Sequence, residues 1–449
     1  MLRMFFRRIR PGQLIVLVFL GIILLGAGLL CLPAAARSGR PTPFLTSLFT
    51  ATSATCVTGL IRVDTGTHWT MFGQVVILLL IQVGGLGFMT IACLFFFALR
   101  RRIGLRQRMV LAQALGSDTY SGIVSLVRNI LRGTAAVEGV GALILFFRFL
   151  PEFGFGRALW YGVFHSVSAF CNAGFDVLAD VDAGGSLCRY ATDPVVNFTI
   201  MALIIIGGLG FAVWGDIRHH RRFSRLSVYS RLVVIITTVL IFGGAGVFAA
   251  LEWNNPNTIG DLTVPQKLMA ALFQSVTLRT AGFATFDQNA LSDVSKAASD
   301  LLMLVGGSSG STAGGVKTAT VGVFLLSAWS TARGRTSVHV MKRRIPRQAV
   351  ENASALFILV LLLSGLGAAF LSIADHVSLE NALYETISAL CTVGLTTGIT
   401  SSLGTASQII LIVLMFFGRL GIMTISVGFM AANRAEERVS YAETKIMIG

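Results

Sequence analysis

Charged side chains are scarce in this sequence: Asp, Glu, Lys and Arg make up 13% of its 449 residues, whereas 54% are hydrophobic. A water-soluble domain with this balance would expose large apolar patches, which soluble proteins avoid. Several apolar stretches reach the roughly 20 residues that an α-helix needs to cross a bilayer. Clear ones run over 14–32, 72–99, 195–214, 232–251, 356–373 and 409–430, and weaker ones over 130–147 and 301–326. Because apolar and polar residues do not alternate in them, they predict transmembrane helices and not a barrel.

Acidic residues are few, 21 against 36 Lys and Arg, and the formal net charge is +15. The basic residues gather in four clusters, at 3–10, 100–108, 218–231 and 333–347. Each cluster lies two spans after the previous one, on the same side of the membrane. This is the positive-inside pattern, so these segments and both termini are predicted to be cytoplasmic. The placement argues against a nucleic-acid surface as the reason for the charge.

Motifs of enzymes and of metal sites are also lacking. The six cysteines show no Cys-x-x-Cys spacing, the six histidines no His-Glu-x-x-His spacing, and no Gly-x-Ser-x-Gly turn follows a predicted strand. The stretch 310–318 approaches a Walker A pattern, but Val316 separates Gly315 from Lys317 and no βαβ unit surrounds it. We therefore expect neither an enzyme nor a chain with a bound cofactor.

What the sequence does contain is an internal repeat, the first feature to seek in a long chain. Four segments share an aromatic residue, a stretch rich in Ser and Thr, and a glycine before an apolar residue. They read FTATSATCVTGL from Phe49, FHSVSAFCNAGF from Phe164, FQSVTLRTAGF from Phe273 and YETISALCTVGL from Tyr384. Each is too short to span a bilayer, which predicts a helix that enters the membrane and returns.

When the four segments are aligned, their glycines form one column, and a second column of glycines follows further along each repeat. It reads VGGLGF at 83–88, IGGLGF at 206–211, VGGSSG at 305–310 and FGRLGI at 417–422. Helix packing through small residues is an alternative explanation of this column taken alone. Together, the two columns predict an all-α integral membrane protein with four repeats of helix, re-entrant helix and helix (M1–P–M2) around a pseudo-fourfold central pore. The predicted repeats are 1–110, 111–226, 227–346 and 347–449.

The four glycine turns indicate an ion path. Irregular backbone at membrane depth is tolerated only where protein or a water-filled cavity satisfies it, and rings of backbone carbonyls can replace a cation's hydration shell. The turns contain no carboxylate, which argues against a divalent site. The predicted ligands are the carbonyls of Val57, Thr58, Gly59, Asn172, Ala173, Gly174, Thr280, Ala281, Gly282, Thr392, Val393 and Gly394. Six acidic residues that follow the turns either form an acidic mouth or are ordinary solvated loop residues: Asp64, Asp176, Asp180, Asp182, Asp287 and Asp293.

These motifs resemble those of the Trk/Ktr/HKT superfamily of potassium transporters, most closely its KtrB-type subunits. The resemblance is carried by TCVTGL at 55–60, CNAGF at 171–175, RTAGF at 279–283, CTVGL at 391–395, GGSSGSTAGGVKT at 306–318 and GRLG at 418–421. It implies inward passage of K+, with Na+ as a possible second ion, across a bacterial plasma membrane. It also implies a homodimer that binds a cytoplasmic ring of nucleotide-sensing RCK subunits of the KtrA type.

The third repeat departs from the others. Gly and Ser at high density over 306–315 disfavour helix, so this segment is expected to unwind within the membrane and line the pore. By resemblance it is the gate, formed by Gly306, Gly307, Ser308, Ser309, Gly310, Ser311, Thr312, Ala313, Gly314 and Gly315 together with Arg419. Arg419 replaces the second glycine of the second column. A guanidinium at this depth needs a partner, and we expect it to donate to carbonyls of the loop.

Two other functions remain open at this stage. A TrkH-type subunit resembles the pattern but carries an extra helical hairpin, and only 13 residues precede the first span here. A Na+- or H+-coupled symporter would need paired carboxylates at the midplane, where Glu138 is the one candidate. We expect Glu138 to have a structural partner and not to bind the ion.

Overall fold

The structure, a computed structural model, describes residues 11–87, 123–178, 185–335 and 337–421. The predicted basic clusters at 3–10 and 100–108 lie outside the described residues, as do both termini. The helices longer than a single turn are α1 (Pro11–Leu30), α2 (Phe44–Cys56), α3 (Met71–Leu86), α4 (Ile123–Phe170), α5 (Pro194–Leu209), α6 (Phe211–His220), α7 (Val228–Glu252), α8 (Val264–Thr277), α9 (Asp293–Met303), α10 (Thr318–Ala332), α11 (Arg347–Asp375), α12 (Leu379–Leu390) and α13 (Thr405–Leu420). A short hairpin joins α10 to α11, with β1 at His339–Val340 antiparallel to β2 at Arg343–Arg344.

The first helix of each repeat is long and apolar enough to cross a bilayer: α1, the first part of α4, α7 and α11. Each carries exposed apolar residues, such as Leu25 and Leu366, which are 67% and 68% accessible. In water such side chains would be unfavourable, so this surface faces lipid. The chain is a multi-pass membrane protein.

The re-entrant helices are α2, the second part of α4, α8 and α12. Within α4 the chain breaks at Gly154, where φ is 70°, three residues after Pro151. Proline removes a helical hydrogen bond and glycine permits positive φ, so this pair reverses the chain without a separate loop. The other three have 13, 14 and 12 residues, too few to span. The aromatic column that opens each segment, Phe49, Phe164, Phe273 and Tyr384, is fully buried.

The second helices end or bend at the glycines of the second column. Gly87, Gly210 and Gly421 follow α3, α5 and α13 with φ of 78°, 88° and 81°. The prediction of one continuous span over 195–214 is wrong, because α5 and α6 meet at Gly210 with a bend of 93°. In the third repeat, the second helix is divided into α9 and α10 by the predicted unwound segment.

The first glycine of the same column has a packing role. A Cβ built on Gly84, Gly207 or Gly418 would collide with a carbonyl at the end of its own re-entrant helix, that of Thr55, Phe170 or Leu390. The packing explanation therefore holds for this position, and the close approach places each second helix directly against the end of a re-entrant helix.

Candidate functional site: the central pore

The four predicted glycines Gly59, Gly174, Gly282 and Gly394 meet at one place. A Cβ built on Gly59 would lie 2.6 Å from the Ala173 carbonyl oxygen and 3.2 Å from Gly394 Cα. One on Gly174 would lie 2.9 Å from Gly282 Cα, and one on Gly282 would lie 3.3 Å from Gly394 Cα. Each glycine thus adjoins the next, and the four close a ring. We call these residues the glycine ring, and the segments 57–59, 172–174, 280–282 and 392–394 the central turns.

All four central turns share one backbone conformation. The residue two positions before each glycine also has positive φ: 57° at Val57, 58° at Asn172, 67° at Thr280 and 53° at Thr392. The ring glycines have φ between 68° and 100°. Positive φ is a genuine outlier for the β-branched Val and Thr, and such strain persists only where the surroundings impose it. The sequence predicted positive φ at the glycines but not at these preceding residues.

Hydroxyl groups support the central turns from behind. Ser53 Oγ accepts from Gly59 N at 3.1 Å and Ser388 Oγ accepts from Gly394 N at 3.0 Å. In the other two repeats, Ser168 Oγ donates to Phe175 O at 2.7 Å and Thr277 Oγ1 donates to Phe283 O at 2.6 Å. These hydroxyls satisfy backbone groups that would otherwise be unpaired at membrane depth. The Ser and Thr content of the repeat signalled them, although their role was not predicted.

The segment 306–315, here called the third-repeat loop, lies on the side of the glycine ring where α3, α5 and α13 end. Toward the second repeat, Thr312 Oγ1 donates to Phe170 O at 2.9 Å and Ser308 N donates to Gly208 O at 3.0 Å. Toward the fourth, a Cβ on Gly315 would lie 2.6 Å from Cys391 O. The loop thus crosses beneath the central turns, from one repeat to the opposite one.

Arg419, in the last turn of α13, is the predicted partner of this loop. Its Nη1 donates to Thr312 O, and its Nη2 donates to Gly84 O and, at 3.0 Å, to Gly85 O. One guanidinium thereby joins the loop and the fourth repeat to the end of α3 in the first. The hydrogen bond to the loop was expected, whereas the two to α3 were not.

Two charged residues near the pore had not been predicted to act there. Lys317, at the end of the loop, donates from Nζ to Ala313 O at 2.8 Å and to Gly314 O at 3.2 Å. Glu385, in α12, is fully buried and accepts from Thr400 Oγ1 and, at 2.9 Å, from Thr396 Oγ1, which braces the chain beyond the fourth central turn. The sequence signal that could have identified both is an ionisable residue within an apolar repeat, because such a residue ordinarily has a specific partner.

Glu138 has the structural partners that we expected. Gln82 Nε2 donates to its two carboxylate oxygens at 3.1 and 3.3 Å, and Cys171 Sγ lies 3.9 Å from Oε1. Gln82 belongs to α3 and Glu138 to α4, so this contact joins the first repeat to the second next to a central turn.

The acidic residues that follow the turns serve more than one purpose. Asp64 and Asp287 accept backbone N–H groups of Thr67 and Asn289 at 2.7 and 2.9 Å, as ordinary N-caps do. Asp176 is 6% accessible. Asp180 and Asp182 lie outside the described residues, so the acidic mouth stays a prediction.

The geometry suits a dehydrated monovalent cation. In the part of the chain that the structure describes, the atoms nearest to each ring glycine are backbone atoms of another repeat, and a re-entrant helix ends shortly before each central turn. Helix C-termini carry partial negative charge, which favours a cation. Carbonyl oxygens can replace its water without the divalent charge density that a ring of carboxylates would match.

Comparison with known proteins agrees with this architecture. Residues 27–438 match the family described as TrkH, cation transport protein. The chain is 40% identical to the potassium/sodium uptake protein NtpJ of Enterococcus hirae, over 99% of this chain and 98% of that one. It is 39% identical to the Ktr system potassium uptake protein B of Bacillus subtilis, over 98% and 97%. The crystal structure of the potassium transporter TrkH from Vibrio parahaemolyticus shares the fold, with a TM-score of 0.74 and 17% identity over 93% of this chain and 84% of that one.

Proposed function

The chain belongs to the TrkH family of cation transport proteins, and from this premise we propose that it is the potassium-translocating membrane subunit of a Ktr-type uptake system. The observation that carries the proposal is the glycine ring, in which each of four glycines from four repeats adjoins the backbone of another repeat. The names of two full-length relatives, a potassium/sodium uptake protein and a Ktr potassium uptake protein, support potassium as the ion.

In the proposed mechanism, K+ loses water at the carbonyls of the central turns and moves inward down its electrochemical gradient. The strained φ values of Val57, Thr280 and Thr392 support this role, because strain of this kind aims neighbouring carbonyls in directions that a relaxed turn would not. The protein holds the oxygens in place before the ion arrives, so binding requires little reorganisation.

The third-repeat loop acts as the gate. It lies beneath the central turns and is held by hydrogen bonds to Phe170 and Gly208 and by Arg419, so ion passage requires it to withdraw. The guanidinium of Arg419 adds an electrostatic barrier to cations while the loop is in place.

The proposed assembly is a homodimer in the bacterial plasma membrane, with both termini cytoplasmic and a ring of KtrA-type RCK subunits on that face. The name of the Bacillus subtilis relative describes a Ktr system, which supports a partner subunit. The basic segment 333–347, which includes the β1–β2 hairpin, offers a docking face, and contact with anionic lipid headgroups is its alternative use. Nucleotide binds to the partner subunit, and this chain needs no covalent cofactor.

Potassium uptake by a transport-deficient bacterial cell tests the proposal directly. Cells that express this chain with an RCK partner should grow at low external potassium, and cells that express it alone should grow less well. Failure of both strains to accumulate potassium, with the protein present in the membrane, would exclude the function.

Removal of four residues, 309–312, from the third-repeat loop tests the gate. The deletion eliminates the Thr312 carbonyl that binds Arg419, so Rb+ uptake into proteoliposomes should rise and its dependence on the RCK partner should weaken. A Thr312→Ser variant, which keeps the carbonyl and the hydroxyl, serves as control. If the deleted protein conducted no faster, the gate assignment would be wrong.

A sodium-coupled mechanism is the second candidate, because the name of the Enterococcus hirae relative includes sodium. Uptake into vesicles under separately imposed sodium and voltage gradients distinguishes the two. Channel-like flow responds to voltage alone, whereas a symporter concentrates potassium when only the sodium gradient is present.

A further inference from the structure

Three consecutive carbonyls of the third-repeat loop bind cationic side chains. Thr312 O accepts from Arg419, and the next two, Ala313 O and Gly314 O, accept from Lys317 Nζ at 2.8 and 3.2 Å. Runs of backbone carbonyls are also the ligands with which proteins replace the water around K+. An ammonium group carries the same single charge and is similar in size, so Lys317 fills a site that suits a potassium ion.

This site lies directly beneath the central turns. A Cβ on Gly314 would lie 3.0 Å from Thr392 Cβ, and Thr392 opens the fourth central turn. Lys317 itself is only partly buried, whereas Ala313 and Gly314 are buried. The ammonium is therefore bound to a stretch of the loop that contacts the fourth central turn.

The position is a poor one for a lysine that serves only the fold. Lys317 is the N-cap residue of α10, yet its side chain makes no capping hydrogen bond. Ser, Thr, Asp or Asn would satisfy the helix N-terminus there, and a cation at that end is opposed by the helix dipole. Folding the long side chain back on the loop also costs rotamer entropy. These local costs indicate that the charge is needed at the carbonyls.

We propose that Lys317 is a tethered competitor of the transported ion, whose ammonium occupies a cation site formed by the Ala313 and Gly314 carbonyls. The side chain leaves these carbonyls when the gate opens, and K+ binds them in its place. The inference rests on the proposed potassium pathway and adds to it a second ion site below the central turns, which is hidden while the gate is closed.

The first test is structural. Tl+, which substitutes for K+ and scatters anomalously, is soaked into crystals of the full-length protein and of its Lys317→Met variant. The variant should show a Tl+ peak bound to Ala313 O and Gly314 O, and the unaltered protein should show none there. The matched control is Lys267→Met, because Lys267 also donates to a backbone carbonyl, Trp253 O at 2.8 Å, but on a re-entrant helix away from the loop.

The second test measures Rb+ uptake by the same proteins in liposomes. Lys317→Met should raise the initial rate by about tenfold, the factor that roughly one charge-assisted hydrogen bond contributes to an equilibrium. Lys317→Arg, which keeps the charge, and Lys267→Met should leave it low. If the Met variant does not fold, Lys317→Gln replaces it, since the amide can still donate to the carbonyls but carries no charge.

The outcomes distinguish failure of the Lys317 proposal from failure of the proposed potassium transport. An empty loop in the crystal of the uncharged variant overturns the proposal, and so does an uptake rate equal to that of the unaltered protein. If the unaltered protein carries no potassium but Tl+ binds the loop of the variant, the proposed function fails while the cation site stands.

Discussion

At each glycine of the ring, the nearest atoms belong to the backbone of another repeat, so no flexible side chain can move aside for a larger residue. A substitution there must displace main chain. It must also adopt a φ that L side chains rarely take. Both costs fall on the atoms that we propose as ion ligands.

Gly394→Ser should therefore loosen the preference for potassium over sodium. A Cβ at Gly394 would lie 2.9 Å from Gly59 Cα, which moves two central turns at once. The measurement is the ratio of Rb+ to Na+ permeability in liposomes. Gly398→Ser is a matched control, because Gly398 has φ of 89°, close to the 92° of Gly394, but nothing lies within 4 Å of its Cβ position. Unchanged selectivity in the Gly394 variant would count against the proposed filter.

At the residue scale, the sequence identified those functional residues that lie in the repeated motifs. The four glycines were found because they form a column, and Arg419 because it interrupts one. Lys317 and Glu385 could not be located in this way. Lys317 binds two backbone carbonyls, which every residue carries, and Glu385 binds two threonines that lie 11 and 15 residues further along the chain. Hydrogen bonds of this kind produce no repeated pattern in a sequence, so a search for repeats does not find them.

At the scale of single elements, the re-entrant helices hold the central turns through their hydroxyls. Ser388 Oγ is buried and accepts from Gly394 N. Its removal leaves a buried N–H without a partner, and hydrogen bonds in membrane proteins are worth roughly 1 kcal/mol.

Ser388→Ala should accordingly lower the thermal unfolding temperature in detergent by a few degrees and reduce Rb+ selectivity. The control is Ser402→Ala, which removes an exposed hydroxyl that donates to Ile399 O at 2.8 Å. Equal effects of both changes would show that the hydroxyl behind the turn has no special role.

The second helices show where hydropathy fails as a predictor. Residues 195–214 are apolar throughout, so the sequence predicts one span, yet the chain bends by 93° at Gly210. Apolar content measures the cost of removing a segment from lipid and is insensitive to backbone φ. The glycine of the repeated motif was the better guide, because Gly87, Gly210 and Gly421 all take positive φ.

At the scale of the whole molecule, the repeats are joined by polar contacts that break their symmetry. Arg419 joins the first, third and fourth repeats, and Gln82 with Glu138 joins the first to the second. The internal repeat predicted four similar units, and the structure shows that these residues, which differ between the repeats, join the units to one another. The limits of the repeats stay a prediction.

Glu138→Ala should destabilise the protein by about 1 kcal/mol, because it leaves the partly buried amide of Gln82 without its acceptor. Glu138→Gln retains an acceptor oxygen and should keep most of the stability and all of the uptake. Thermal unfolding and vesicle uptake check the two effects separately. A Gln variant that is stable but has lost uptake driven by a sodium or proton gradient would reveal a coupling carboxylate.

The mutual contact of the ring glycines also bears on how mutations there combine. Each ring glycine contacts the backbone of its neighbours in the ring. A methyl group added at one glycine therefore already displaces the atoms with which a methyl group at the neighbouring glycine would collide. The penalties of neighbouring changes should be sub-additive, as for any pair that shares a strained contact. Replacing the first ring glycine should therefore cost more free energy than replacing a second one. This form of epistasis disfavours every single substitution and so conserves all four glycines together.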